Sequence, residues 1–303
     1  MRIAITGARS DIAKNIQFLA ADSGDTITLA PPSKELNFLT SQEKLAVWLD
    51  RCAPDVVVHL AGSKPPAPVT ALFANNVAVT YNLLEAMASA SPAARLVFSS
   101  SSAVYGQLAV DEIAGVGTTV RPVNAYGYSK AAQEDLAFRF CHLAGRRLVI
   151  ARIFNMIGTL GDDYSVLPSL VRRSIASLPG ALMTVKDGYC VRDFIDVVDV
   201  ASALLLACKA DDPPEVMNIC SEIPVSIMQL ATLVSQRLGR TIAFDFQPGN
   251  AHDTIIRSVG DASETRGLGW ERKRSLVESI DETIRRISKV VPIAPKAAPL
   301  RQT

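Results

Sequence analysis

The amino-acid sequence predicts an α/β protein built around a doubly wound parallel sheet, and three observations support this prediction. Segments with the pattern of a strand alternate with segments of helical pattern through the first half of the chain, which is the order of βαβ units. The strand at 55–59, Asp-Val-Val-Val-His, is apolar without alternation, as expected when helices cover both faces of a sheet. The chain has 303 residues, of which 49% are hydrophobic, enough for a large core in one large or two closely associated domains.

The individual elements follow in order from these patterns. The predicted strands of the first half lie at 2–6, 26–29, 56–60, 96–100 and 148–152, and the predicted helices at 11–21, 42–52, 74–88 and 126–144. Glycines and prolines after residue 152 predict a loop-rich region, followed by a helix at 197–207 and a strand at 216–219. Two further helices are expected at 227–238, which ends at Gly239, and at 275–288, whereas the Pro- and Ala-rich segment 292–303 predicts a disordered tail.

Composition and charge exclude several classes of function. The net charge is +1 and charged residues make up 20%, so we expect binding neither to nucleic acid nor to a membrane. The amino terminus enters a strand at once and no apolar run approaches ~20 residues, which predicts a cytoplasmic protein without a signal peptide. The three histidines are too dispersed for a metal site, and His59 is expected to be a hydrogen-bonded residue of the core or of the crevice. The cysteines lack a C-x-x-C pair and are expected to be reduced core thiols; they are Cys52, Cys141, Cys190, Cys208 and Cys220.

Tyr126 and Lys130 form the motif that points most directly to chemistry. Four residues apart on a helix, their side chains share one face. A phenol titrates near ~10, and a neighbouring cation lowers that pKa, so the pair predicts a general acid/base for an alcohol or ketone oxygen. Residues 95–106 form an apolar run that ends in four hydroxyls, the pattern of a buried strand that opens into a ligand crevice. Ser101, about twenty-five residues before the tyrosine, is therefore predicted to orient the substrate oxygen.

The turn after the first strand is predicted to bind a dinucleotide. A tight turn and a helix amino terminus can hold a pyrophosphate there, but only Gly7 remains of a glycine-rich pattern, and Ser10 and Ala13 stand where glycine is usual. The second strand ends without the acidic residue that holds an adenosine ribose diol. Because Arg9 and Lys34 are expected nearby, the cofactor is predicted to be NAD(P), with a preference for NADP(H). The alternative is that both residues are ordinary surface cations that do not contact the cofactor.

These motifs resemble those of the extended short-chain dehydrogenase/reductases, the NAD-dependent epimerase/dehydratase group that acts mostly on nucleotide sugars. The resemblance covers residues 1–285 and is carried by the segments 59–62, 76–86, 152–155, 192–200 and 268–270. It implies a Rossmann domain at 1–154 and 196–222, and a smaller, discontinuous C-terminal substrate lobe at 155–195 and 223–291.

The resemblance also implies roles for individual residues. The catalytic residues are Ser101, Tyr126 and Lys130. Tyr126 and Lys130 are also implied cofactor contacts, and Lys130 holds the nicotinamide ribose. The other implied cofactor contacts are Gly7, Arg9, Ser10, Asp11, Ile12, Leu60, Ala61, Gly62, Asn76 and Ser99. The implied substrate contacts are Ser101, Ser102, Asn155, Arg192 and Arg257.

The sequence departs from the family pattern in places that bear on the reaction. Dehydratases of the family carry an acidic pair directly after the catalytic hydroxyl, whereas Ser102 and Ala103 stand there, so dehydration is not expected. Ala251 or His252 lies near the position of a second diphosphate-binding arginine, and Arg257 is the candidate to replace it.

The predicted function is hydride transfer at a sugar carbon, C4 in our prediction, of a nucleoside-diphosphate sugar. A 4-ketosugar reductase is preferred, because the altered glycine loop and second strand are poorly suited to retaining a cofactor through an epimerase cycle. A nucleotide-sugar 4-epimerase, a reductase or dehydrogenase of a non-sugar alcohol, and a non-catalytic dinucleotide-sensing or scaffold protein remain alternatives. A homodimer is expected.

Overall fold

The computed structural model describes residues 1–158, 165–178, 180–248 and 254–289. Its strands are β1 (Arg2–Thr6), β2 (Thr26–Leu29), β3 (Val56–His59), β4 (Arg95–Ser101), β5 (Leu148–Ile153), β6 (Asn155–Ile157), β7 (Leu182–Lys186), β8 (Val191–Asp196), β9 (Val216–Ile219), β10 (Pro224–Ser226), β11 (Ala243–Gln247) and β12 (Arg257–Ser258). Its α-helices are α1 (Asp11–Ala20), α2 (Gln42–Cys52), α3 (Val69–Phe73), α4 (Val79–Ala90), α5 (Ala125–Leu143), α6 (Val166–Ala176), α7 (Val197–Lys209), α8 (Ile227–Leu238), α9 (Ser263–Gly267) and α10 (Leu276–Ile287).

A six-stranded parallel sheet forms the centre of the protein, in the order β2-β1-β3-β4-β5-β9. Successive residues of β1 point to opposite faces, so Ile3 and Ile5 pack in one core and Ala4 in the other. Helices α1 and α7 pack together over the first face, and α2 and α4 over the second. The doubly wound α/β prediction is confirmed.

The helix predicted at 74–88 is longer and less regular than its sequence pattern indicates. It begins with α3 at Val69, passes through a π-helical segment at Ala74–Ala78 and continues as α4 to Ala90. The wider π turn contains Asn76, whose side chain is buried. An irregular turn of this kind often marks a functional site, and here it brings Asn76 to the cleft described below.

The prediction of a loop-rich region after residue 152 is wrong. The segment holds β6, α6, β7 and β8, and the described part of the later chain adds β10, β11 and β12. Strand β8 pairs with β6, β10 and β12, while β7 pairs with β11, about sixty residues further along the chain. These strands are short and their partners distant, so no local pattern of residues predicts them. The tail predicted at 292–303 lies outside the described residues, and the division into two lobes stays a prediction.

Asp193 ties the second sheet to the end of β9. Its carboxylate accepts hydrogen bonds from the backbone amide and hydroxyl of Ser221 at 2.6 and 2.7 Å, and from the amides of Glu222 and Gly260. Burial raises the pKa of Asp193 to about 6, although these donors favour the charged form. The contacts fix the orientation of β8, and with it the position of the preceding residue, Arg192.

The cysteines lie in or beside the core. Four of the cysteines are buried and Cys52 is half-buried, all as free thiols, so the prediction of thiols in or near the core is confirmed. Within the described ranges, none of the helices combines the length and apolarity needed to cross a bilayer.

Candidate active site

A long cleft opens where the strand order reverses, between β1 and β3. Open α/β sheets bind ligands at this switch point, outside the carboxyl ends of the strands. One cavity, of about 390 Å³, lies over the β1–α1 turn and the end of β2. A second, of about 1000 Å³, runs from that turn to the ends of β4 and β8. Because Arg9, Ser10 and the segment 60–62 line both cavities, the two form one continuous site.

The β1–α1 turn is built for close approach of a ligand to the backbone. Gly7 has φ +70°, and a Cβ there would lie 2.7 Å from the carbonyl carbon of Leu60, so another residue would be strained and would clash. Ser10 takes the place of a glycine by capping α1, since its Oγ accepts from the amide of Ala13 at 3.1 Å. Asp11 and Ile12, in the first turn of α1, line the larger cavity. A helix amino terminus of this kind suits a pyrophosphate.

The end of β2 lines the smaller cavity without a carboxylate. Its wall there consists of Ala30, Pro31, Pro32 and Ser33, and Arg9 faces it from the turn. Lys34, which the sequence also placed nearby, is not among the lining residues. Of the two predicted cations, Arg9 is therefore the one in position to meet a ligand at this end of the cleft.

Helix α5 presents Tyr126 and Lys130 to the larger cavity. Asn124 caps the helix by accepting from the amide of Gly127 at 2.9 Å. Gly127 packs so closely that a Cβ would lie 2.6 Å from the carbonyl oxygen of Ala103, which brings the first turn of α5 against the end of β4. The side chains of Ser101 and Tyr126 are hydrogen-bonded there. The sequence-predicted trio of Ser101, Tyr126 and Lys130 therefore lines one cavity.

The expectation that Lys130 lowers the pKa of Tyr126 is wrong in this arrangement. Burial raises the pKa of the Tyr126 phenol, and its hydrogen bond with Ser101 offsets only part of that effect. The Lys130 ammonium is directed elsewhere: Nζ donates to the carbonyl of Ser99 at 2.6 Å and to Oε1 of Gln133 at 2.8 Å. A protonated phenol is a proton donor, so the geometry favours Tyr126 as an acid at neutral pH.

Lys130 itself is buried, and the groups in direct contact with its Nζ are uncharged. Its Nζ lies 4.7 Å from the centroid of the Phe98 ring, a cation–π contact. Burial lowers the pKa of Lys130 to about 7, while the charge of Glu134 one turn further along the helix acts to raise it. A lysine with this pKa titrates in the physiological range, where an ordinary lysine does not.

Asn76 is held by protein groups at the edge of the cleft. Its Oδ1 accepts from the amide of Ser63 at 2.7 Å, and its Nδ2 donates to the Ser63 carbonyl and to Oγ of Ser129. The amide therefore fixes the loop after β3 against α5. That loop supplies Leu60, Ala61 and Gly62 to both cavities. Ser99, also predicted as a cofactor contact, lines the larger cavity while its Oγ donates to the His59 carbonyl at 2.9 Å.

The predicted substrate contacts line the far part of the larger cavity, with one exception. Ser102, Asn155 and Arg192 all line it. Ser102 Oγ accepts from Ser258 at 3.3 Å, and the Nη1 of Arg192 donates to the carbonyls of Val191 and Ile256 at 3.0 and 3.2 Å. The guanidinium is braced by these carbonyls and also hydrogen-bonds the side chain of Cys190, and a guanidinium has five N–H donors in all.

Arg257 does not take the position expected of it. It is not among the residues that line either cavity, and its Nε donates to the carbonyl of Glu112 at 3.1 Å. The reason is its place in β12, where the neighbouring Ser258 faces the cavity and alternation turns Arg257 away. Arg257 is therefore not placed to replace a second diphosphate-binding arginine.

Sequence reasoning missed several lining residues. Asn124 had a local signal, since an asparagine before a helix is a common cap. Lys64, Phe154 and Met156 lie in or beside the segments 59–62 and 152–155 that carry the family resemblance. Others come from distant parts of the chain that no local pattern joins to the site; they are Asp187, Thr254, Ile255 and Ser258.

The fold and the site define a dinucleotide-dependent enzyme. The chain belongs to the NAD dependent epimerase/dehydratase family, whose model matches residues 3–220. The family resemblance drawn from the motifs is confirmed, and the protein is an enzyme of that family rather than a binding module of another class.

Relatives of more than one activity match the chain. GDP-6-deoxy-D-mannose reductase of Pseudomonas aeruginosa is 30% identical over 245 residues, which cover 77% of this chain and 79% of the reductase. UDP-glucose 4-epimerase of Halalkalibacterium halodurans is 29% identical over 251 residues, covering 75% and 74%.

Solved structures of similar proteins likewise include both an NADPH complex and an epimerase bound to NAD. RMD from Pseudomonas aeruginosa, complexed with NADPH, superimposes with a TM-score of 0.85 at 26% identity, covering 96% of this chain and 100% of that one. UDP-glucose 4-epimerase of Thermus thermophilus, in complex with NAD, superimposes with a TM-score of 0.83 at 24% identity and the same coverage. At this level of identity the similarity shows a shared fold alone.

Proposed function

We propose that the protein is an NADP(H)-preferring reductase of a 4-keto sugar carried on a nucleoside diphosphate. The observation that carries the proposal is the cleft, in which the acid Tyr126 lies in the same cavity as the β1–α1 turn and Arg192. The residues of that turn would hold the dinucleotide, and a reduced nicotinamide bound there would supply hydride.

The chain's own residues would perform the remaining steps. Tyr126, kept protonated by burial, donates a proton to the carbonyl oxygen of the substrate as the carbon is reduced. Ser101, hydrogen-bonded to Tyr126, binds the same oxygen and orients it. Arg192 binds the substrate diphosphate, because a guanidinium matches phosphate oxygens bidentately.

Three features support reduction as the reaction. Ser102 and Ala103 follow Ser101 without a carboxylate, so the acid needed to eliminate water is missing at that position. The similarity to GDP-6-deoxy-D-mannose reductase and to a structure complexed with NADPH points the same way. Incubation of the purified protein with NADPH and a panel of nucleoside-diphosphate 4-keto sugars tests the proposal by net oxidation of the cofactor.

A nucleotide-sugar 4-epimerase is the second candidate, favoured by the similarity to UDP-glucose 4-epimerases at 29% identity. The epimerase would use the same three residues, Ser101, Tyr126 and Arg192, and the cofactor would be regenerated within each cycle. Interconversion of the two C4 epimers of a nucleotide sugar without net consumption of cofactor would establish this activity instead.

Arg192→Lys is expected to raise the KM for a nucleotide sugar by about 10-fold or more, since a lysine point charge cannot reproduce a bidentate contact. Affinity for the dinucleotide should remain within about twofold. Steady-state kinetics and fluorescence titration measure the two effects. Arg257→Lys is the matched control, because that guanidinium contacts Glu112 outside the cavities, and it should change neither. Equal losses of substrate and dinucleotide affinity in Arg192→Lys would assign Arg192 to the structure of the cleft.

Arg9→Ala is expected to weaken NADPH binding by about 10-fold while changing NADH binding little, because charge-assisted contacts to a 2′-phosphate are among the stronger hydrogen bonds. Calorimetric titration with each dinucleotide measures this. Lys34→Ala, which removes a cation that does not line the smaller cavity, is the control. Tighter binding of NADH than of NADPH by the parent protein would contradict the proposed preference.

A cytoplasmic homodimer is the assembly that we propose. The neighbouring helices α4 and α5 expose Tyr81, Tyr128 and Phe138, and an apolar surface of this kind suits association with a second copy. Light scattering of the purified protein measures its mass directly.

A further inference from the structure

The ammonium of Lys130 is oriented by neutral acceptors. Within hydrogen-bonding distance, Nζ contacts the carbonyl of Ser99 and Oε1 of Gln133. The Ser99 carbonyl belongs to the backbone of β4 and cannot turn. The side chain of Gln133, one helical turn beyond Lys130, is fully buried and has an amide that could point either way. The group that fixes the orientation of the Gln133 amide therefore decides whether Nζ of Lys130 faces the acceptor Oε1 or the donor Nε2.

Thr80 fixes the Gln133 amide. Nε2 of Gln133 donates to Oγ1 of Thr80 at 2.6 Å, while Thr80 donates its own proton to the carbonyl of Asn76 at 2.7 Å. A hydroxyl has one proton and two lone pairs. With its proton committed to a carbonyl, Thr80 can only accept from Gln133, which turns Oε1 of the glutamine toward Lys130.

His59 occupies the second lone pair of Thr80 and extends the chain to β1. Its Nε2 lies 2.8 Å from Oγ1 of Thr80 and must donate, and its Nδ1 then accepts from Oγ1 of Thr6 at 2.7 Å. Thr6 in turn accepts from the backbone amides of Leu60 and Ala61. Burial lowers the pKa of His59 to about 3, so the ring is neutral, as this pattern requires. The prediction of a hydrogen-bonded core histidine is confirmed.

We infer that Gln133 is the positioning residue for Lys130, and that the buried series of hydrogen bonds Thr6–His59–Thr80–Gln133 fixes which group donates and which accepts in each bond. This series of hydrogen bonds joins the loop after β3, which lines both cavities, to the catalytic lysine. The inference rests on the proposed function, in which Lys130 would hold the nicotinamide ribose, but its geometry can be tested without substrate. The titratable groups that interact with Lys130 are Glu134 from α5 and His59 from β3, while Tyr126 lies one helical turn earlier on α5.

The test is an NMR titration of the full-length protein labelled with [13Cε]lysine, with the Lys130 signal assigned by its loss in Lys130→Met. In the parent protein Lys130 should titrate near pH 7. Gln133→Glu keeps the shape and places a carboxylate on Nζ, so the midpoint should rise by about 1–3 pH units. Gln133→Met removes an acceptor of the charged form, so the midpoint should fall by about 1 unit.

The controls separate a local effect from a change of net charge or fold. Gln236→Glu adds the same charge at an exposed position on α8 and should leave the midpoint unchanged. Thr80→Val should shift it in the direction of Gln133→Met, because the Gln133 amide then loses the partner that orients it. Midpoints that stay within about 0.3 units in both Gln133 variants overturn the inference; if Gln133→Met does not fold, the near-isosteric Gln133→Glu decides.

The same variants distinguish this inference from the proposed function. If protonated Lys130 is needed for reduction, the alkaline limb of kcat/KM moves to higher pH in Gln133→Glu and to lower pH in Gln133→Met. A moved NMR midpoint with an unmoved activity limb upholds the positioning role of Gln133 and counts against the proposed role of Lys130.

Discussion

Tyr126→Phe should lower turnover by about 10²–10⁴-fold, the usual contribution of a positioned general acid. The phenol is the acidic group that lies against Ser101 in the larger cavity, and burial raises its pKa so that it is protonated at neutral pH. The substitution removes one oxygen and leaves the ring, so the unfolding midpoint and the affinity for NADPH should hardly change. Single-turnover kinetics with a 4-keto sugar measures the chemical step.

Tyr128→Phe is the matched control for this variant. Tyr128 lies two residues further along α5, and the residue is 55% exposed. Removing its hydroxyl should leave turnover within about twofold, because Tyr128 does not line the larger cavity and the substitution keeps the ring exposed on the proposed dimer surface. Near-normal turnover in Tyr126→Phe would remove that residue from the mechanism, whereas similar losses in both variants would indicate damage to α5.

Glu134→Gln should destabilise the protein by about 3–5 kcal/mol, the cost of leaving a buried charge without its partner. Both side chains of the Glu134–Arg152 pair are only 8% exposed, and the shortest of their contacts is 2.8 Å. Glu134 also accepts a short hydrogen bond from Ser100. Because Arg152 keeps its charge at any accessible pH, the neutral glutamine cannot replace the carboxylate. Chemical denaturation measures the free energy of unfolding.

Asp135→Asn provides the comparison on the same helix. Asp135 pairs with Arg139 at 2.9 Å, but these side chains are 62% and 73% exposed. An exposed pair contributes about 0–1 kcal/mol, so this variant should unfold close to the parent. Equal destabilisation by the two substitutions would show that burial of the Glu134–Arg152 pair is not what makes it important.

The sequence predicts the parallel sheet well because its signals are local. Strands such as β3 are continuous apolar runs, and α1 begins where Ser10 can cap it. The positions of Tyr126 and Lys130 on one helix follow from their spacing alone. The second sheet could not be predicted in this way, since β8 acquires partners from segments as far away as β12.

Electrostatics and side-chain direction were harder to predict than position. The spacing of Tyr126 and Lys130 indicates proximity, but not that Nζ turns toward Ser99 and Gln133. The family pattern makes Arg257 the candidate to replace a missing diphosphate-binding arginine, but strand alternation in β12 turns its side chain to the carbonyl of Glu112. In both cases the outcome depends on hydrogen bonds to groups distant in the chain or on a neighbouring strand.

Isotope transfer from the cofactor tests the central proposal most directly. The protein is incubated with NADPH deuterated at nicotinamide C4, each epimer in turn, and a nucleoside-diphosphate 4-keto sugar, and the product is analysed by NMR. The proposed reductase transfers deuterium to C4 of the sugar from one of the two deuterated forms of NADPH and not from the other. It consumes one NADPH for each product formed. A parallel incubation replaces the 4-keto sugar by a nucleotide sugar with a C4 hydroxyl. An unreduced 4-keto sugar in the first incubation, with interconversion of the C4 epimers and no net oxidation of NADPH in the second, would contradict the reductase and establish an epimerase.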